Sequence, residues 1–252
     1  MLGKFLNFFR GGRKLEEPAS LAGADMHAHW LPGIDDGAKD MAESLAMIRR
    51  LKHIGAERLI ASPHVMVDFY PNSKETILGK LQEVRLAAAA AGLSIQLNTA
   101  AEYLIDEGFN DLLDRGDLLT FDGNRVLVEL SFVAPPPGLH DTFFRLLTKG
   151  YRPVLAHPER YRYYHGKPDE LRAIQDKGVE LQVNLLSFTG HYGGSVQETA
   201  EKLLLDKMLA LWGTDAHRME HLDKIDELLR NPGFTQRFEQ YPWQNATLQG
   251  TA

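Results

Sequence analysis

Two histidines, His27 and His29, sit two residues apart in the stretch ADMHAHWLPGIDDG, and two aspartates, Asp35 and Asp36, close the same run. On a strand, i and i+2 side chains point to one face, as a chelating pair of imidazoles requires. Asp-Asp-Gly admits two uses: one carboxylate can close a turn before Gly37 while the other is left to ligate. Further on come Ser-Pro-His64, Ala-Ala-Glu102, Val-Glu129, Ala-His157-Pro-Glu-Arg160 and Thr-Asp215-Ala-His217. Cysteine is absent, which excludes disulfides, thiolate ligands and thiol nucleophiles and leaves nitrogen and oxygen to hold any metal. The five imidazoles of His27, His29, His64, His157 and His217, with the carboxylates of Glu102, Glu129, Asp215 and one of Asp35 and Asp36, suit borderline divalent ions such as manganese, iron or zinc.

These residues follow short apolar runs rich in branched side chains, predicted as strands over 24–26, 59–62, 95–101, 126–130, 154–156, 179–183 and 209–213. Stretches of helical periodicity alternate with them. The clearest has Asp40 as N-cap, Glu43 three residues on, an apolar face of Met41, Leu45, Ile48 and Leu51, and Gly55 as its stop. A second runs from near Ser73 to Gly92, shorter ones lie around Asn110, Phe143, Ala173 and Leu203, and a polar pair surrounds Ile225 and Phe238. This α/β rhythm fits a parallel sheet closed into a barrel, with an open doubly wound sheet as the alternative.

In a barrel of this kind, chemistry sits at the carboxyl ends of the strands. Six of the seven predicted strands end there in a metal-competent side chain, and only the sixth, ending at Asn184, offers no strong ligand. A lone buried His or Glu is more often a hydrogen-bonded structural residue, but a converging set would leave carboxylates repelling one another and imidazoles unpartnered, a conflict that cations resolve. Arg160, in HPER, could reach over such a site as a planar phosphate fork or form a surface ion pair with Glu159. His53, His140, His165, His191 and His221 read as solvated, and Tyr161, Tyr163 and Tyr164 as packing of a loop onto the barrel rim.

The chain has 252 residues, 44% of them hydrophobic, enough for one larger single domain, expected over 23–252 behind a leader at 1–22. The leader carries Phe5, Phe8 and Phe9 beside Lys4, Arg10, Arg13 and Lys14; it could lie on a membrane surface or pack on its own domain or a neighbour. A net charge of -6 and a pI near 5.9 argue against a nucleic-acid partner. No apolar run approaches a membrane span and no secretory cleavage site follows the N-terminus, so a cytoplasmic location is expected.

The order HxH, Asp-Asp-Gly, PH, Glu, Glu, HPER and DAH resembles the polymerase-and-histidinol-phosphatase (PHP) superfamily. More narrowly, DMHAHWLPGIDDG with AHPERY is similar to the manganese-dependent protein-tyrosine phosphatases of bacterial capsule and exopolysaccharide loci, from about Ala24 to about Leu229. The resemblance implies a distorted (β/α)7 barrel with three divalent metal ions at its mouth, manganese foremost. It implies that His27 and His29 hold one ion with Asp215, that Glu102 bridges it to a second completed by Glu129 and His157, and that Asp36, His64 and His217 bind the third. The carboxylates Asp36 and Glu129 stand where other branches often carry histidine, which points to the tyrosine-phosphatase branch. Ala101 stands before Glu102 where some relatives have glycine, a departure that retains the carboxylate.

The ligand types point to metal-assisted phosphomonoester hydrolysis on their own account. Ions close together can lower the pKa of a bound water toward ~7 while neutralising phosphate oxygens, so a bridging hydroxide would attack phosphorus with no covalent intermediate, and Arg160 would clamp the non-bridging oxygens. The expected activity is that of a protein-tyrosine phosphatase, its partner a phosphotyrosine protein such as a tyrosine autokinase. Two alternatives stay open: a small-molecule phosphatase of the histidinol-phosphate type, and a non-catalytic binding module whose metals brace the barrel mouth.

Overall fold

The computed structural model describes residue 21 and residues 23–248. The expected leader at 1–22 lies outside the described residues except for Leu21, whose side chain is buried in the core. The strands are β1 (Ala24–Ala28), β2 (Arg58–Ala61), β3 (His64–Val65), β4 (Gln96–Thr99), β5 (Glu102–Leu104), β6 (Arg125–Glu129), β7 (Arg152–Ala156), β8 (Glu180–Asn184) and β9 (Leu211–Gly213). Neighbouring strands all pair in parallel, in the orders β1-β2-β4 and β3-β5-β6-β7-β8-β9.

The break between these two sheets is local. Pro63, which has no N–H to donate, separates β2 from β3, and Ala100-Ala101 separates β4 from β5. Hydrogen bonds from Ala100 N to Ala61 O at 2.8 Å and from Glu102 N to Pro63 O at 3.0 Å carry the ladder across both gaps. The nine segments are therefore seven strand runs, in the places the apolar stretches indicate. The curled sheet closes where β9 meets β1: Asp215 N donates to His27 O at 2.7 Å, His29 N donates to Ala216 O at 3.0 Å, and Ala28 and Ala216 form a parallel bridge.

Helices α1 (Met41–His53), α2 (Lys74–Ala90), α3 (Glu107–Arg115), α4 (Leu139–Thr148), α5 (Pro168–Gln175), α6 (Gly194–Leu205), α7 (Met219–Leu229) and α8 (Pro232–Glu239) complete the fold. Asp40 caps α1 by accepting from Glu43 N at 2.9 Å, while the Glu43 carboxylate reaches back to Lys39 N, one residue earlier than a standard capping box. The face of α1 that is fully buried is Ser44, Met47, Ile48 and Leu51; Met41 and Leu45 lie at its edge. Outward residues such as Leu59, Val128, Leu155 and Val183 pack with the helices. A second, inner cluster holds Met26, Ile60, Leu127, Val154, Ala156 and Leu211. Burying one such side chain contributes about 1.5–3 kcal/mol. Strand alternation then places Glu129, two residues past Leu127, on the inner face toward the mouth.

The first strand needs a correction to its alternation to bring its histidines inward. Ala24 and Asp25 pair with Arg58 and Leu59, but Ala28 pairs with Ala61, so β1 carries an extra residue between Asp25 and Ala28. Such a bulge re-aims the side chains beyond it. Met26 stays in the inner cluster below, and His27 and His29 face the mouth above it.

Candidate metal centre

All nine of the sequence-predicted ligands lie at the carboxyl-terminal mouth. His27 Nε2 stands 3.1 Å from Glu102 Oε2 and 3.4 Å from Asp215 Oδ1, and His29 Nε2 stands 3.3 Å from the same Asp215 oxygen. These four residues form one group whose ligand atoms lie within 4.8 Å of one another. A second group is His29, Asp36, His64 and His217, in which Asp36 Oδ1 is 3.5 Å from His64 Nε2 and 3.3 Å from His217 Nε2. The third is His64, Glu102 and Glu129, with His64 Nδ1 3.1 Å from Glu102 Oε2 and 3.0 Å from Glu129 Oε1. His157 Nε2 meets Glu102 Oε1 at 2.9 Å. The grouping differs from the expected partition in two respects: His64 rather than His157 gathers with Glu102 and Glu129, and His29 and His64 each belong to two groups.

Neighbouring residues fix these side chains in place. Asp35 accepts from Gly37 N at 2.9 Å, the turn-closing use of Asp-Asp-Gly, and its other oxygen takes His29 Nδ1 at 2.8 Å and His64 N at 3.2 Å. Gln182 Oε1 sits 2.9 Å from His27 Nδ1, and the Asp215 carbonyl sits 2.9 Å from His217 Nδ1. In each case the outer ring nitrogen is engaged and Nε2 is turned to the cluster, the arrangement typical of metal-binding histidines. Gly37 is required by space, since a Cβ there would stand 2.0 Å from His29 O. His157 and Asp215 adopt left-handed φ values of 35° and 49°, a cost that non-glycine residues bear mainly at functional sites.

The electrostatics are those of charges packed in the interior. Burial opposes the charge on His27, yet Glu102 and Asp215 outweigh it and raise its pKa to about 9. His29 is raised well above the usual imidazole value against the same burial, by Asp35, Asp215 and Glu102. Burial pushes Glu102 and Asp215 upward, but the surrounding imidazoles hold both well below the carboxylate range. Glu102 Oε2, Glu129 Oε1 and His64 Nδ1 are buried with no hydrogen-bond partner, although they stand at ion-pair distance from one another. Buried polar atoms are rarely left so. A donor set of imidazole nitrogens and carboxylate oxygens with orphaned acceptors fits divalent cations.

Arg160 does not pair with Glu159. Its Nη1 donates to Asp215 Oδ2 at 2.8 Å, and its guanidinium lies 4.8 Å from the Phe132 ring centre and 4.3 Å from that of Tyr192. Glu159 instead accepts from Ser187 Oγ and Asn184 N beneath the site. Asn184 Nδ2 donates to Asp215 Oδ2 at 2.7 Å, so the sixth strand run, which offers no ligand, contributes support through Gln182 and Asn184.

The model of the capsular polysaccharide synthesis family CpsB/CapC matches residues 23–230. The chain belongs to the CpsB/CapC family. Tyrosine-protein phosphatase YwqE of Bacillus subtilis is 29% identical over 197 residues, 78% of either chain. A chain from the crystal structures of YwqE from Bacillus subtilis and CpsB from Streptococcus pneumoniae, described as metal-dependent tyrosine phosphatases, matches with a TM-score of 0.76 and 25% identity over 86% of this chain and 90% of its own. A histidinol phosphate phosphatase from Lactococcus lactis shares the fold at a TM-score of 0.50 and 16% identity, over 84% of this chain and 94% of its own.

Among the remaining histidines of this CpsB/CapC chain, His53, His140 and His191 are exposed and His165 is half-buried. His221 corrects the expectation of a solvated residue. It is buried on α7, where its Nδ1 accepts from His217 N at 3.3 Å and its ring meets those of His191 and His217. Tyr161 and Tyr163 do pin a loop to the rim: Tyr161 Oη accepts from Leu130 N and Tyr163 Oη donates to Ser131 O, both at 2.9 Å. Gln182, Phe132, Tyr70 and Tyr192 also stand at the site; the alternation of Gln182 and Asn184 with Leu181 and Val183 is the one signal in the sequence for the first.

Proposed function

We propose that this CpsB/CapC chain is a metal-dependent protein-tyrosine phosphatase of capsular or exopolysaccharide synthesis. The observation that carries the reading is the convergence of His, Asp and Glu ligands from five strand ends on overlapping groups, with His157 of a sixth against Glu102 and Arg160 against Asp215. The tyrosine-phosphatase relatives YwqE and CpsB, similar over most of the chain, support the substrate class.

In this proposal His27, His29 and Asp215 would hold one ion, Glu102, Glu129 and His157 a second, and Asp36, His64 and His217 a third, with manganese favoured over iron or zinc. Bound divalent ions would supply positive charge for the phosphate oxygens and an activated water. The chain itself orients and encloses. Gln182 and Asp35 hold the His27 and His29 rings in one tautomer. Arg160 offers five N–H donors, of which the Asp215 contact uses one, leaving a fork that matches two non-bridging phosphate oxygens. Hydrolysis adds water to phosphorus, breaks the bond to the tyrosyl oxygen and releases phosphate; with no cysteine in the chain, the thiol route is closed.

The substrate we favour is a phosphorylated tyrosine autokinase reached from the cytoplasm; no helix among the described residues is long and apolar enough to cross a membrane. The test is turnover by metal-stripped protein refilled in turn with manganese, iron and zinc. Metal-restored hydrolysis of a phosphotyrosyl peptide, with histidinol phosphate left intact, is expected. Hydrolysis of histidinol phosphate alone would move the protein to the small-molecule class, and metal binding without turnover of either would favour a braced binding module.

A further inference from the structure

Phe132, just past the end of β6, is held firmly at the mouth yet left half outside. Its ring stacks on the His157 imidazole with centroids 5.9 Å apart and planes 17° from parallel, and packs on Tyr161 at 5.4 Å. The Arg160 guanidinium lies 4.8 Å from its centre. The loop that carries it is tied down by the Tyr161 and Tyr163 hydroxyls and stiffened by the run Pro135-Pro136-Pro137. Even so, Phe132 stays 47% exposed and its neighbour Val133 89% exposed. Across His64, Tyr70 stacks on that imidazole at 5.5 Å, and Phe69 stands 73% exposed on a turn closed by paired Met66 and Tyr70 hydrogen bonds. A protein gains nothing for its own stability by fixing apolar rings in water, and such a lip marks a binding surface.

We infer that Phe132 is the platform on which the aryl ring of a phosphomonoester substrate lies, and that it sets the preference for aryl over alkyl phosphates. The inference rests on the phosphatase reading and deepens it. An aryl phosphate is a dianion joined directly to a flat apolar ring, so its recognition needs a cationic centre and an apolar face in contact with each other. Phe132 supplies that apolar surface from its half-exposed ring, with the Arg160 guanidinium over the ring and His157 of the candidate metal centre stacked on it. Offset stacking of two rings adds selectivity that an alkyl chain cannot obtain.

The experiment measures kcat/KM of the metal-reconstituted protein for phenyl phosphate and ethyl phosphate, in the wild type, Phe132→Leu and Phe132→Tyr. The aryl-to-alkyl ratio is expected to fall about tenfold in Phe132→Leu, mainly through KM for the aryl ester, and to return in Phe132→Tyr. Competitive inhibition gives a second reading: wild type should prefer phenylphosphonate to methylphosphonate, and Phe132→Leu should lose that preference. If Phe132 only buttresses Arg160 and His157, both esters lose equally and the ratio stays put, which overturns the inference while the phosphatase reading stands. Wild-type protein inert toward both esters would overturn the phosphatase reading and the inference with it.

Discussion

The two ends of the barrel handle charge in opposite ways. At the amino end, Arg125 donates to Asp122, Glu180 and Gln244, and Arg152 donates to Glu180 as well, so each buried charge has a partner of opposite sign. Asn245 closes the seam there: its Nδ2 donates to Ala24 O and Trp212 O, both at 2.8 Å, and its Oδ1 accepts from Trp212 N at 3.0 Å. At the carboxyl end, the buried oxygens Glu102 Oε2 and Glu129 Oε1 have imidazoles nearby but no hydrogen bond. A self-satisfied end holds the fold, and an end with unspent acceptors is built to receive a cation.

The sharpest way to break this contrast is to substitute one residue from each end. Glu102→Gln, which touches His27, His64 and His157, should lower kcat/KM on the order of a thousandfold, about 4 kcal/mol, while urea denaturation still shows a folded protein. Asn245→Ala should do the reverse. It strands one N–H and two carbonyls at the seam, so a loss of about 3 kcal/mol in unfolding free energy is expected, with metal content retained. Between them lies Gln182→Ala, which frees the outer nitrogen of His27 and should weaken metal affinity roughly 10- to 100-fold as read by calorimetric titration. The smallest effect is expected at Asp25, beneath the histidines. Its carboxylate accepts from Thr214 N and Oγ1 and from His27 N, and burial raises its pKa to about 6. An amide can keep the two N–H contacts and donate to the hydroxyl, so Asp25→Asn should stay within about 1 kcal/mol of wild type by thermal unfolding.

The mouth was the more legible end in the sequence. Ligand types recur at strand ends, and the apolar runs before them mark the strands, so seven runs and their carboxyl termini are legible in the sequence alone. The bulge in β1 is not, because a 2-residue alternation carries no sign of an inserted residue until its partner strand is known. Asp35 and Asp36 differ only in geometry: one is spent on Gly37 N and His29, the other reaches His64 and His217. The seam was hidden for another reason. Asn245 lies over two hundred residues from Ala24, and an isolated asparagine near the end of a chain carries no local pattern. His221 and Phe132 were misread or passed over because burial and stacking are properties of the folded neighbourhood rather than of the residue.

The contrast between the ends reduces to one quantity, the metal retained by the folded protein. After equilibrium dialysis against manganese and then metal-free buffer, elemental analysis of wild type should find bound ion, with three per chain as the proposed number, and Glu102→Gln should keep its fold but lose most of it. Wild-type protein that dialyses free of metal, or a Glu102→Gln variant that keeps as much as wild type, would contradict the account.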